Sequence, residues 1–193
     1  MAGRRQFDEQ QTLERALEVF WTKGYGATSM QDLAAATGVQ RGSLYNAYHD
    51  KESLFLRAYE GHSQQLMADV AEQLAHPDVE QALLRFFNFT IASMLKGSPS
   101  RGCLTTKAAM GTDDEDITAV LRSSLDTMER LLLERLCTEG ARARLTVPPA
   151  EAARVLVTMT RGVVVMARLH PDQEQLTATA ASLVRSLLAA PVG

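Results

Sequence analysis

Apolar residues recur along almost the whole chain at spacings of three and four. Leu13, Ala16, Leu17, Phe20 and Trp21 share one helical face, with Glu14, Arg15 and Glu18 opposite. Lys23-Gly24 closes that segment, since a cation suits the negative end of a helix dipole and glycine accepts a positive-φ cap. Thr28-Ser29-Met30-Gln31 then fits a capping box led by Thr28, opening a short helix that carries Met30, Leu33 and Ala34 and ends at Thr37-Gly38-Val39. The segment from Gln40 to Tyr48 places Leu44, Tyr45 and Tyr48 on one side, and Asp50 is suited to cap the helix that follows. That helix carries Leu54, Phe55, Ala58, Tyr59, Leu66 and Val70 and stops near His76-Pro77. Further apolar stripes run from Val79 to Leu95, briefly from Cys103 to Met110, from Ile117 to Leu136 with Gly140 as the stop, from Pro148-Pro149 to His170-Pro171, and over Leu176 to Leu187. The predicted fold is all-α.

With 193 residues the chain suffices for one generous domain or two small ones, and 46% hydrophobic with 22% charged residues is a composition that buries a core. The net charge of −3 gives no nucleic-acid signature, and the first sixty residues hold seven Lys/Arg against eight Asp/Glu. Any DNA contact must therefore come from a local patch. Cys103 and Cys137 are too few and too isolated for a disulfide framework or a zinc site, and the four histidines His49, His62, His76 and His170 are scattered. Neither a metal nor a cofactor is expected. The N-terminus lacks an apolar signal core, and no apolar run reaches the ~18 residues a membrane span needs, so a cytoplasmic protein is expected.

The stretch from Thr28 to Tyr48, a helix, a glycine turn and a second short helix, has the dimensions of a helix-turn-helix whose second helix presents its N-terminal residues to the major groove. Gln40, Arg41, Gly42 and Ser43 occupy that position. Arg41 can grip guanine O6 and N7, Gln40 can pair with adenine or a phosphate, and Gly42 allows close approach of the backbone. The same spacing also suits an ordinary αα-corner with Arg41 solvated, and periodicity alone does not choose.

The ordered set Thr28, Ala34, Gly38, Val39, Gly42, Leu44, Tyr45, Tyr48, Lys51, Glu52, Leu54 and Phe55, preceded by the Phe20/Gly24/Tyr25 spacing, resembles the N-terminal domain of TetR/AcrR-type transcriptional regulators. The resemblance covers about the first third of the chain. It implies a three-helix DNA-binding domain over 1–50 and a helical effector-binding and dimerisation domain over 51–193. It further implies a one-component regulator, most often a repressor, that binds a pseudo-palindromic operator as a homodimer and is released by a small-molecule effector. Carried over position by position, it sets Thr28 near a phosphate as cap of the second helix and Tyr45 and Lys51 on the DNA backbone. Ala47 departs from the pattern, where relatives carry a histidine or another polar contact. Arg4 and Arg5 are candidates for minor-groove or phosphate contacts.

For the remaining two thirds the resemblance implies a dimer of the last two helices, whose wide apolar faces carry Leu156, Val163, Val164, Leu183, Val184 and Leu187; closure of the monomer's own core is the competing reading of those faces. It also places Phe86, Phe87, Phe89, Met94, Met110, Met128 and Met159 around an effector cavity; plain core packing is the competing reading of the same stripe. Cys103 joins these candidates, because Gly102-Cys103-Leu104 at a helix start is seen in a subset of such regulators, some of which sense electrophiles or oxidants through the thiol. Arg101 and Lys107 nearby would favour its thiolate, while burial as a small hydrophobe is the alternative. A small helical enzyme using Cys103 as nucleophile lacks a partnering histidine, and a DNA-binding protein without an effector is separated from the regulator by its cavity. No enzymatic activity is expected.

Overall fold

A computed structural model describes residues 7–97 and 100–190, which form ten helices and, among the described residues, no strand beyond one isolated bridge. The all-α expectation is met. Arg4 and Arg5 lie outside the described residues. In chain order the helices are α1 (Glu9–Lys23), α2 (Met30–Thr37), α3 (Arg41–Tyr48), α4 (Lys51–Leu74), α5 (Val79–Leu95), α6 (Leu104–Ala109), α7 (Glu115–Leu136), α8 (Glu139–Arg142), α9 (Pro149–Leu169) and α10 (Gln173–Leu187). Their ends follow local chemistry. Asp8, Asp78, Asp114 and Asp172 each accept a bond from a backbone N–H in the first turn of the helix they precede, and Gly24 ends α1 at φ 83°. One stop differs from expectation: α7 ends at Leu136, and Gly140 lies inside the one-turn α8.

The residues separate into two compact units. One comprises the chain up to Gln64 together with Leu104–Leu121; the other comprises Gln65–Cys103 and the chain from Arg122 onward. The first unit thus continues beyond residue 50 and takes in a distant segment, because Leu104, Ala108, Ile117 and Leu121 complete the apolar cluster around Phe20, Leu33, Leu44 and Phe55. Phe20 and Phe55 meet edge to face with ring centroids 5.1 Å apart. Two polar contacts fasten the inserted segment: Lys107 Nζ donates to the Trp21 carbonyl at 2.8 Å, and the Tyr59 and Thr105 hydroxyls lie 2.8 Å apart.

In the second unit α5, α9 and α10 pack around Phe86, Phe87, Ile91, Leu156, Val163 and Val184. Arg144 closes one end, donating to Asp78 at 3.3 Å and Glu80 at 2.9 Å, and the chain after it pairs with the end of α10 through the Leu145–Leu188 bridge. The segment before α6 is held to α9, where the Ser100 hydroxyl donates to the Ala167 carbonyl at 2.9 Å.

Candidate nucleic-acid interface

The turn between α2 and α3 is fixed from three sides. Gly38 adopts the left-handed conformation (φ 72°, ψ 9°), which spares the Cβ clash that any other residue would meet there. The Thr37 hydroxyl donates to the Leu33 carbonyl at 2.7 Å and accepts from the Val39 N–H. From α1, Arg15 Nη1 donates to the Thr37 carbonyl at 3.2 Å.

The start of α2 corrects the sequence expectation by one residue. Ser29, not Thr28, is the cap: its hydroxyl accepts from the Asp32 N–H, and the Asp32 carboxylate accepts from the Ser29 N–H. Lys23 from the end of α1 also donates to Asp32. These bonds, the Lys23 ammonium first, hold the Asp32 carboxyl at about 2, below its ordinary 3.8. Thr28 is buried, and its hydroxyl donates to the Gly24 carbonyl at 2.7 Å. It shapes the turn and offers no surface to a phosphate.

On α3 the buried side chains are Leu44 and Tyr48, with Ser43 and Ala47 half-buried beside them. The exposed residues of α3 are Arg41, Gly42, Tyr45 and Asn46, and His49 is exposed at its C-cap. At 100° per residue the four on α3 occupy one arc of about 140°. Arg41 and Tyr45 form one edge of it; Gly42 and Asn46 lie toward the other. Arg41 Nη2 donates to the Tyr45 hydroxyl at 3.3 Å, and its guanidinium carbon lies 5.4 Å from that ring's centroid. A Cβ built on Gly42 would meet nothing within 4 Å, so packing does not require glycine at this first-turn position. Gln40 is exposed at the N-cap without a side-chain capping bond. Ser43, placed among the groove residues by the sequence, sits at the margin of the arc.

Lys51 departs further from expectation. Its Nζ donates to the Tyr25 carbonyl at 3.0 Å and lies 4.2 Å from the Tyr25 ring centroid, so the ammonium braces the α1–α2 turn instead of projecting outward. Burial, then the carboxylates of Asp114, Glu52 and Asp50, push the Tyr25 hydroxyl up to about 12. Asn46 and His49 were not singled out from the sequence; the available signal was the complement of the Leu44, Ala47 and Tyr48 stripe. His49 ends α3 at φ 67° and ψ −52°, the central residue of a tight turn in which the Asp50 N–H donates to the Tyr48 carbonyl at 2.8 Å.

Residues 13–58, which span α1, the turn, α2, α3 and the start of α4, match the family described as "Bacterial regulatory proteins, tetR family". The match supports a TetR family regulator. It is 29% identical over 187 residues to the HTH-type transcriptional repressor ComR of Escherichia coli (strain K12), covering 93% of this chain and 88% of that one. Among solved structures, the TetR family transcriptional regulator CifR, as a cysteine mutant complexed with 26-bp double-strand operator DNA, superposes with a TM-score of 0.83 at 28% identity, over 95% of this chain and 98% of that chain. E. coli NemR in its reduced form shares the fold, with a TM-score of 0.84 at 20% identity over 95% and 98%.

In the second unit, Phe86, Phe87, Met94 and Met128 are buried in the core, with Phe89, Met159 and Cys103 half-buried against them. Met110 does not join them. It follows α6 in the other compact unit and is 85% exposed, because the turn toward α7 directs it to solvent. The Cys103 thiol has a cation, but Arg161 where the sequence suggested Arg101 and Lys107: Arg161 Nη1 lies 3.3 Å from Sγ, while Lys107 is engaged at Trp21. The faces of the last two helices are likewise reassigned. Leu156, Val163, Val164, Val184 and Leu187 are buried and Leu183 is half-buried, all in this unit's own core. The exposed apolar residues of α9 are Val155, Val165, Met166 and Leu169. Among the described residues no His/Cys/Asp/Glu group is placed to hold a metal, and no helix is long and apolar enough to cross a membrane.

Proposed function

We propose that this protein is a one-component repressor acting in the cytoplasm, which binds a pseudo-palindromic operator as a homodimer and releases it when a small molecule occupies the second unit. The single observation that carries this reading is the outward arc of α3: four exposed residues, Arg41, Gly42, Tyr45 and Asn46, on the second helix of a rigidly held helix-turn-helix. Such a helix fits the major groove, where Arg41 meets guanine O6 and N7 while Gln40 and Tyr45 reach phosphates or bases. The operator DNA bound by CifR and the repressor name of ComR support the assignment. Residues 1–50 carry the DNA-facing groups, and the rest of the chain carries dimerisation and effector binding.

A second copy would cover Val155, Val165, Met166 and Leu169, the exposed stripe on α9. The effector would lie against the half-buried Phe89 and Met159, with Phe86, Phe87, Met94 and Met128 behind them. Release requires the effector to bind the operator-free conformation more tightly than the operator-bound one. Capture of genomic fragments by the full-length protein, followed by footprinting, tests the reading. The expected result is a protected imperfect palindrome; binding to all fragments alike at fixed salt would refute it.

The Arg161 contact favours a second trigger, alkylation or oxidation of Cys103. A guanidinium 3.3 Å from the sulfur stabilises the thiolate, which adds to the β-carbon of an activated alkene: the C–S bond forms, the C=C π bond breaks, and the α-carbon takes a proton from water. Under this reading Cys103 is alkylated faster than the exposed Cys137 near neutral pH, and Cys103→Ser keeps operator binding but loses release by an electrophile. Equal rates at the two thiols would exclude it.

A further inference from the structure

We propose that Asn46 reads an adenine of the operator through the notch that Gly42 leaves in the outer face of α3. The inference rests on the operator-binding reading above and adds a sequence determinant to it.

Asn46 is exposed one helical turn beyond Gly42, and none of the described residues bonds its amide. Side chains four residues apart stand one above the other and lean toward the helix N-terminus, so the space next to the Asn46 side chain is the space a residue at 42 would fill. With glycine there, that space is open: a Cβ would touch nothing of the protein. Gly42 stands in the first turn of α3, and its missing side chain leaves the outer face beside Asn46 open to a body approaching from outside. A carboxamide carries a donor and an acceptor side by side, the complement of adenine N7 and N6 in the major groove.

The other edge of the arc carries a different chemistry. Arg41 lies along Tyr45, held by the hydroxyl and the ring, and its guanidinium matches guanine. The two edges therefore address different base pairs. Five residues rise about 7.5 Å along the helix, against about 3.4 Å per base step, so the adenine should fall within about three base pairs of the guanine in each half-site.

The test uses the full-length protein. Wild type selects sites from a pool of randomised duplex DNA, each base pair of the selected site is replaced in turn, and Kd is measured at one salt concentration for wild type, Asn46→Ala and Gly42→Ala. Thermal melts confirm that both variants fold. For wild type, one A·T pair per half-site should cost about tenfold or more when changed to G·C. Asn46→Ala should bind all four pairs equally at that position while keeping its preferences elsewhere, and Gly42→Ala, which fills the notch, should lose the same discrimination. Retention of the full wild-type preference by Asn46→Ala would overturn the proposal with the regulator reading intact. Failure of wild type to select any sequence would overturn both.

Discussion

Two valines separated by one residue on α9 should fail in opposite ways when changed to aspartate. Val163 is 2% exposed in the core of the second unit, whereas Val165 is 54% exposed on a stripe with Val155, Met166 and Leu169. Full burial of a side chain this size contributes about 1.5–3 kcal/mol, so covering the exposed half of Val165 in a dimer gives about 1 kcal/mol. Aspartate removes that and also forces a carboxylate out of water, at a further cost of at least about 2 kcal/mol. Two-fold symmetry repeats the change, bringing the loss to about 6 kcal/mol, or about four orders of magnitude in Kd. A nanomolar dimer would become one with a Kd of about 10 μM. Val163→Asp instead buries an unpaired charge within the monomer at more than about 4 kcal/mol, comparable with the whole stability of a domain. Sedimentation velocity from 1 to about 50 μM, read beside thermal melts, separates the two outcomes at the concentrations where a dimer of that affinity dissociates. Val165→Asp should melt near wild type and run mainly as monomer at about 1 μM with dimer returning toward about 50 μM, and Val163→Asp should lose its cooperative melt. A folded, monomeric Val163→Asp beside a dimeric Val165→Asp would show that the faces of α9 are assigned backwards.

Gly38→Ala should lower stability by about 1–2 kcal/mol, because its φ of 72° brings Cβ toward the following carbonyl; an unchanged denaturant midpoint would contradict the left-handed turn. Lys51→Met should lower the melting temperature while leaving the salt dependence of operator binding unchanged, since the ammonium is spent on Tyr25; a salt slope smaller by one unit would place it on a phosphate instead. Asp32 is held at about 2 in the folded chain against an ordinary 3.8, so its contribution is present above about pH 4 and is lost as pH falls toward 2. Asp32→Asn should flatten the stability–pH curve in that window, and identical curves for the two proteins would rule out the capping box as its source.

The helices were legible because each buried stripe has the helical period and each end has its own signal, as with Lys23-Gly24 closing α1 and Pro148-Pro149 opening α9. The helix-turn-helix was legible for the same reason. What failed had two physical sources. Thr28-Ser29-Met30-Gln31-Asp32 offers two capping registers, Thr28 with Gln31 and Ser29 with Asp32, and the choice falls to the second because Lys23, nine residues earlier, reaches Asp32. Long-range partners such as this, or Trp21 for Lys107 and Tyr25 for Lys51, leave no periodic trace. On α9 the buried Val163 and Val164 and the exposed Val165 and Met166 form one uninterrupted apolar run, so composition identifies the helix as wide-faced without saying which side meets its own core. Asn46 is the complement of the Leu44, Ala47 and Tyr48 stripe, a signal the sequence does carry.

The helix-turn-helix does not make a detachable module. Its apolar cluster is closed by Leu104, Ala108, Ile117 and Leu121, which arrive after some forty residues of chain belonging to the other unit. During synthesis the amino-terminal helices must therefore wait, with Phe20, Phe55 and Tyr59 only partly covered, until residue 121 has left the ribosome, a delay of several seconds at about 5–20 residues per second. The same interleaving governs recombination: a chimera that exchanges only the first fifty or sixty residues inherits half of a packing problem solved by another sequence. Swaps between relatives should succeed only when the cut is made twice, so that the segment from 104 to 121 travels with the helices it covers.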